Sequence, residues 1–133
     1  MIDRSIPYYN LILKCTKICT TPVSLPEGYS FKLYDVGDEK RWAKLEYEIG
    51  DFATIEEAEM YFKTNYCNQI DELKKRCVFV IDTYGDVVGS CIAWHDSKDN
   101  DTVASLHWLV VSPEHQGKYI GLALCQKVMD IFN

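Results

Sequence analysis

The stretch LHWLVVSPEHQGKYIGLALCQKVMDIF, residues 106–132, runs from an apolar strand through a Ser-Pro turn into Gln116-Gly117-Lys118-Tyr119-Ile120-Gly121 and then an amphipathic helix. Glycine has no Cβ, so it lets the backbone come close to a ligand or turn left-handed, and Gly117 and Gly121 stand where strand hands over to helix. A helix start offers N–H groups without intrahelical partners, and the positive end of the helix dipole. Strand, glycine turn and helix in this order make a place where main-chain donors can hold an anion such as a diphosphate, with Lys118 the turn's side-chain cation. The same pattern also serves as a tight connection made only for packing.

Upstream, residues 8–15 (YYNLILKC) read as a strand, followed by a connection marked by Pro22 and Pro26-Glu27-Gly28. Residues 29–34 (YSFKLY) alternate as a second strand, and Asp35-Val36-Gly37-Asp38 supplies a turn and a helix cap. Over residues 39–49, Trp42, Leu45 and Ile49 recur at helical spacing while Glu39, Lys40, Lys44 and Glu48 face away; Gly50-Asp51 breaks the helix. Thr54 and Glu57 form a capping box for a second helix running toward Lys75, with a break near Asn65 or Asn68. Residues 77–81 and 87–94 are strands around a Tyr84-Gly85-Asp86 hairpin turn, and the polar turn of residues 96–101 leads into a strand over 102–111. Strands that come as meanders, with helices between, predict an α/β domain whose central sheet is mixed and largely antiparallel, with helices on both faces.

Composition fits one domain over residues 1–133, long enough for a single core. Fourteen basic against twenty acidic residues give a net charge of −6, with no basic cluster to follow a phosphate backbone, so nucleic acid is not an expected partner. The amino-terminal apolar run is too short and interrupted for a signal peptide or a membrane span; no membrane partner and a cytoplasmic protein are expected. Cys15, Cys19, Cys67, Cys77, Cys91 and Cys125 are scattered without a C-x-x-C pair and read as buried thiols rather than a disulfide framework. Their spacing to His95, His107 and His115 suggests no zinc site, and no metal is expected.

Val111-Ser112-Pro113 after an apolar strand, then Gln116 and Gly121-Leu122-Ala123-Leu124, resembles the GNAT superfamily of acetyl-CoA-dependent N-acetyltransferases, whose signature is Val-x-Pro followed by Q/R-x-x-G-x-G/A. Tyr119 departs from it, standing where the first motif glycine usually does. With helical backbone there the ring can turn outward; with positive φ the loop is strained or the anion sits farther off. The resemblance covers the whole order of elements, with its specific residues confined to 109–123. It implies the GNAT-like acyl-CoA N-acyltransferase fold and transfer of an acetyl group from acetyl-CoA to a primary amine of an unidentified small molecule or protein. It further implies a cofactor site in which main-chain N–H groups of Gln116, Gly117, Lys118, Tyr119, Ile120, Gly121, Leu122 and Ala123 hold the diphosphate. Leu109, Val110 and Val111 would offer main-chain partners to the pantetheine arm and help polarise the thioester carbonyl.

His107, on the strand leading into the turn, is the candidate general base, having a pKa near neutrality and a place close to the site; a packed or solvated histidine is the other reading. The carboxylate that many family members carry on this strand has no counterpart, since Ser105 and His107 occupy the neighbourhood, and Glu114 and His115 read as polar loop residues. In the family's layout the segment between the two helices overhangs the acceptor side, which makes Glu46, Tyr47, Glu48, Asp51 and Phe52 candidates for touching an amine; a solvated helix face and a core aromatic explain them equally. The family pattern continues beyond Asn133 with another strand, a helix and a terminal strand or hairpin, so the domain is expected to be incomplete at its carboxy-terminal end. That leaves the 106–111 strand as an apolar edge and predicts pairing into a homodimer, the alternative being that the helix ending at Phe132 folds over the edge and covers it. A non-catalytic acyl-CoA-binding or interaction domain that keeps the turn is the second functional reading.

Overall fold

A computed structural model describes residues 5–7, 13–17, 21–98 and 101–132. The anticipated strand at residues 8–15 falls largely outside them, and Leu13, Lys14 and Cys15 are not in a strand. Gly28, at φ +92°, turns the chain into β1 (Ser30–Leu33), with the Tyr29 N–H closing on the Pro26 carbonyl at 3.2 Å. α1 (Glu39–Ile49) follows, burying Trp42, Ala43, Leu45 and Glu46, and ends on Gly50 in the left-handed region. Asp38 occupies the N-cap position of α1 without capping it. Its carboxylate instead accepts from the Asp35 N–H at 2.8 Å and pairs with Lys32, so it closes the preceding turn.

Thr54 caps α2 (Ile55–Asn65) by accepting from the Glu57 N–H at 3.1 Å. A short 3-10 turn at Cys67–Gln69 separates α2 from α3 (Ile70–Arg76), the break anticipated near Asn65 or Asn68. β2 (Cys77–Ile81) then leads through a turn in which Asp82 accepts from the Tyr84 and Asp86 N–H groups into β3 (Val87–Lys98). β3 runs past the expected end at Trp94, and β4 (Asp101–Val111) pairs with it out to Lys98 and Asp101. Residues 96–98 and 101 are thus ladder, not turn, because the two long antiparallel strands continue to pair as a ribbon.

The strands lie in the order β1-β2-β3-β4, every neighbouring pair antiparallel. Each face of the sheet has its own core. On one, Trp42, Ala58, Phe62, Tyr66 and Leu73 of α1, α2, α3 and their connections pack on Cys77, Phe79, Ile92 and Trp94. On the other, Ile120, Leu124 and Val128 of α4 (Ile120–Phe132) pack on Val78, Val80, Cys91 and Ala93. The result is a largely antiparallel α/β layer with helices on both faces. Cys77 and Cys91 are buried, Cys67 and Cys125 partly so, but Cys15 is exposed, so the expectation of buried thiols does not extend to it. Among the described residues no helix is long and apolar enough to cross a membrane.

Candidate functional site

The strand entering the glycine turn is irregular. Ser90 stands opposite Val110 and Ile92 opposite His107, so Cys91 alone faces both Trp108 and Leu109, a β-bulge in β4. Trp108 takes φ +54° to accommodate the extra residue, a conformation rare for so bulky a side chain. Strict alternation would send His107 and Trp108 to opposite faces. The bulge brings both to the α1–α3 face, where His107 meets Tyr66 and Trp108 packs with Trp42, Phe52 and Tyr61 at centroid distances of 5.3–5.6 Å.

Beyond the bulge β4 ends at Val111, and the Ser112 N–H continues the ladder to the Val88 carbonyl at 2.7 Å. A 3-10 turn at Pro113–His115 leads to Gln116, whose side-chain amide donates to the Val111 carbonyl at 2.9 Å and so ties the turn to the strand end. Gly117 (φ +79°) and Tyr119 (φ +65°) both lie in the left-handed region, and the Tyr119 ring points to solvent, 74 % exposed. The Ala123 N–H bonds to the Tyr119 carbonyl at 3.0 Å as the first turn of α4 closes. The N–H groups of Ile120, Gly121 and Leu122 are left without intrahelical acceptors, at the positive end of the dipole.

A hollow of about 350 Å³ opens here, lined by Leu109, Val110, Val111, Gln116, Gly117, Tyr119, Ile120 and Gly121, with His115 at its side. The geometry thus gathers eight of the eleven residues that the resemblance places at the cofactor; Lys118, Leu122 and Ala123 lie outside the lining. Lys118 donates to the Tyr29 hydroxyl at 3.1 Å, and that hydroxyl also meets His115 Nδ1 at 2.7 Å, a stitch from the start of β1 to the turn. A larger hollow of about 550 Å³ lies between α1 and the β2–β3 turn. Its Arg41 and Lys44 are mixed with Glu48, Asp82, Asp86 and Glu114, so it selects no charge, and it reaches the glycine turn only through Ser112, Glu114 and His115, whereas the smaller hollow takes in the start of α4.

His107 is held at both ring nitrogens. Nδ1 meets the Tyr66 hydroxyl at 2.8 Å and Nε2 meets Asp96 at 3.2 Å. Burial pushes the Tyr66 phenol well above its ordinary value, so it stays protonated and can donate to Nδ1. The Ser105 hydroxyl, with His107, holds the Asp96 carboxyl below the usual carboxylate range. A neutral His107 bearing its proton on Nε2 satisfies both partners, and an amine would have to displace one of them to reach a ring nitrogen. Tyr66 escaped sequence reasoning because it sits at the end of α2, with nothing local to link it to β4.

Of the five acceptor-side candidates, Tyr47 is exposed, Glu48 lines the larger hollow, and Phe52 is half-buried against Trp42 and Trp108. Glu46 is fully buried and neither carboxyl oxygen has a hydrogen-bond partner. Burial pushes it up to about 9, with the neighbouring Asp51 carboxyl adding to the shift. No group of three or more histidine, cysteine or acidic side chains suited to a metal occurs among the described residues.

Residues 38–133 match the acetyltransferase (GNAT) family, and the chain belongs to it. Among solved structures, a GCN5-related N-acetyltransferase from Sphaerobacter thermophilus superposes with a TM-score of 0.61 at 20 % identity, over 88 % of this chain and 35 % of that one. A GCN5-related glucosamine N-acetyltransferase region of a fungal multi-domain GH3 β-N-acetylglucosaminidase gives 0.54 at 20 % identity, over 80 % of this chain and 12 % of that one. Glucosamine-6-phosphate N-acetyltransferase from Arabidopsis thaliana gives 0.56 at 17 % identity, over 79 % and 74 %. The chain therefore spans about a third of the Sphaerobacter chain and about an eighth of the fungal one, and the likeness at these identities is one of fold. A search among curated proteins returned no match.

Proposed function

We propose that residues 1–133 form the cofactor-binding portion of a GNAT domain that transfers an acetyl group from acetyl-CoA to a primary amine. The observation that carries this reading is the hollow joining the end of β4 to the start of α4, in a chain of this family. The diphosphate of coenzyme A lies on the N–H groups of residues 117–122, those of Gln116 and Ala123 being taken by the Pro113 and Tyr119 carbonyls; the dipole there contributes about 0.3–1 kcal/mol, and close backbone approach matters more than side-chain charge. The pantetheine arm runs along Leu109, Val110 and Val111. A main-chain N–H beside the bulge, aimed at the thioester oxygen, stabilises the tetrahedral adduct as the amine attacks. The acceptor is a small-molecule or protein amine, and the open edge of β4 pairs with a second copy.

Gly121 provides the test. A Cβ built there meets only Val111 Cγ2, at 3.7 Å, an ordinary contact, so the fold accommodates alanine. Gly121→Ala keeps the thermal unfolding midpoint, while Gly121→Leu, with a side chain thrust into the approach path, weakens coenzyme A binding roughly tenfold or more by calorimetry. Unchanged affinity in the leucine variant removes the diphosphate from this turn. Binding without release of free thiol across a panel of amines selects the second reading, a non-catalytic acyl-CoA-binding domain, which the doubly engaged ring of His107 favours.

A further inference from the structure

Trp108 stands at the first position of the bulge with φ +54°, a place that glycine ordinarily fills because a left-handed backbone crowds a Cβ. Here the crowded residue is a tryptophan. Were the bulge lost, the strand would slip by one residue and carry Leu109, Val110 and Val111 to the opposite faces of the sheet, out of the places from which they line the hollow. Backbone strain of this kind persists only where the surroundings over-determine it.

The rings of Trp42, Phe52 and Tyr61 pack around Trp108, but ring contacts are weakly directional. The Tyr66 hydroxyl supplies direction. It has the Trp108 indole as a hydrogen-bond neighbour and meets His107 Nδ1 at 2.8 Å, while His107 Nε2 meets Asp96 at 3.2 Å. With the imidazole proton on Nε2 every link runs one way, from indole N–H to phenol oxygen, from phenol O–H to Nδ1, and from Nε2–H to carboxylate. The fixed point of this chain is Tyr66, 2 % exposed, with its N–H on the Phe62 carbonyl at 2.9 Å and its ring packed on Phe62 and Trp94 at 5.4 and 5.2 Å. Phenylalanine would fill the same space, so packing does not account for the hydroxyl.

We propose that Tyr66 and His107 are positioning residues that hold the Trp108 indole, and through it the β4 bulge, in the conformation that aims the neighbouring main-chain N–H at the thioester oxygen; this rests on the acetyl-transfer reading above. His107 is then a strut between Tyr66 and Asp96 and takes no proton from the amine. Neither residue touches the reacting atoms. The diphosphate end of the site has its own ties, from the Gln116 amide to the Val111 carbonyl and from the Ser112 N–H to the Val88 carbonyl. Slackening the bulge therefore displaces the thioester more than the diphosphate, and turnover separates from binding.

Tyr66→Phe removes one oxygen and keeps the ring. In proton–nitrogen correlation spectra it should move the Trp108 indole resonance and the Leu109 and Val110 amide resonances, and leave those of residues 117–122 in place. Its coenzyme A affinity by calorimetry should equal the parent's, while kcat for acetylation of benzylamine falls roughly tenfold or more. Asp96→Ala changes a carboxylate that is 58 % exposed, loosens His107 from the other end, and should move the same resonances less. A Tyr66→Phe variant with the parent's kcat, with unmoved Leu109 and Val110 amides, or with coenzyme A affinity reduced as much as kcat overturns the proposal. Where that variant fails to fold, unmoved amides in Asp96→Ala overturn it instead. A parent that releases thiol with none of a panel of amines overturns the acetyl-transfer reading, and the Tyr66→Phe resonances then decide alone whether the bulge is held from Tyr66.

Discussion

Tyr119 holds a conformation that L side chains avoid, φ +65°, with its ring in solvent, so no contact of the folded chain offsets the crowding of its Cβ. Tyr119→Gly should therefore raise stability by about 1 kcal/mol, the left-handed penalty less glycine's extra chain entropy, and shift the urea midpoint upward; an unchanged or lower midpoint would show that the ring has a hidden partner. At this scale the sequence is informative where a residue type violates a local rule, and Tyr119 is such a violation in a glycine position. It is silent where partners are distant. Nothing around Tyr66 announces His107, and Glu46, at helical spacing from Trp42, reads equally as a solvated or a buried residue until the sheet beneath it is placed.

At the scale of elements, α4 lies so close over the sheet that a Cβ on Gly89 of β3 would meet Leu124 Cδ1 at 3.1 Å and the Val110 carbonyl oxygen at 3.2 Å. The backbone oxygen cannot give way. Gly89→Ala should cost about 1–3 kcal/mol in chemical unfolding and push the start of α4 away from Val111, weakening whatever binds in the hollow; a neutral alanine would mean that α4 can shift over β3 without cost. Helices α1 and α2, the break before α3 and the β2–β3 hairpin are legible because apolar spacing, the Thr54 cap and the Gly85 turn are local signals. The bulge at Trp108 is not legible, since no glycine marks it and it exists only as a mismatch with β3. The length of β3 was hidden for a related reason: Asp96, Ser97 and Lys98 have turn composition but are held by pairing.

At the scale of the whole molecule, β4 is an edge of the described sheet, and Val103, Leu106 and Leu109 along it are 46 %, 38 % and 43 % exposed. An edge with apolar side chains and unpaired backbone groups invites a further strand. Pairing about a two-fold axis closes on itself, so light scattering across a dilution series should give the mass of a dimer that dissociates only on dilution; a folded chain that remains a monomer at high concentration would show the edge already covered. The strand order has a consequence in time as well as in space. β2, β3, β4 and α4 follow one another as neighbours, whereas β1 reaches β2 only across α1, α2 and α3, so its pairing closes the longest loop in the sheet. Residues 77–132 should form the folding nucleus, with β1 the last strand to gain amide protection in pulse-labelled hydrogen exchange, so that the glycine turn is shaped before the helices of the opposite face are locked over the sheet.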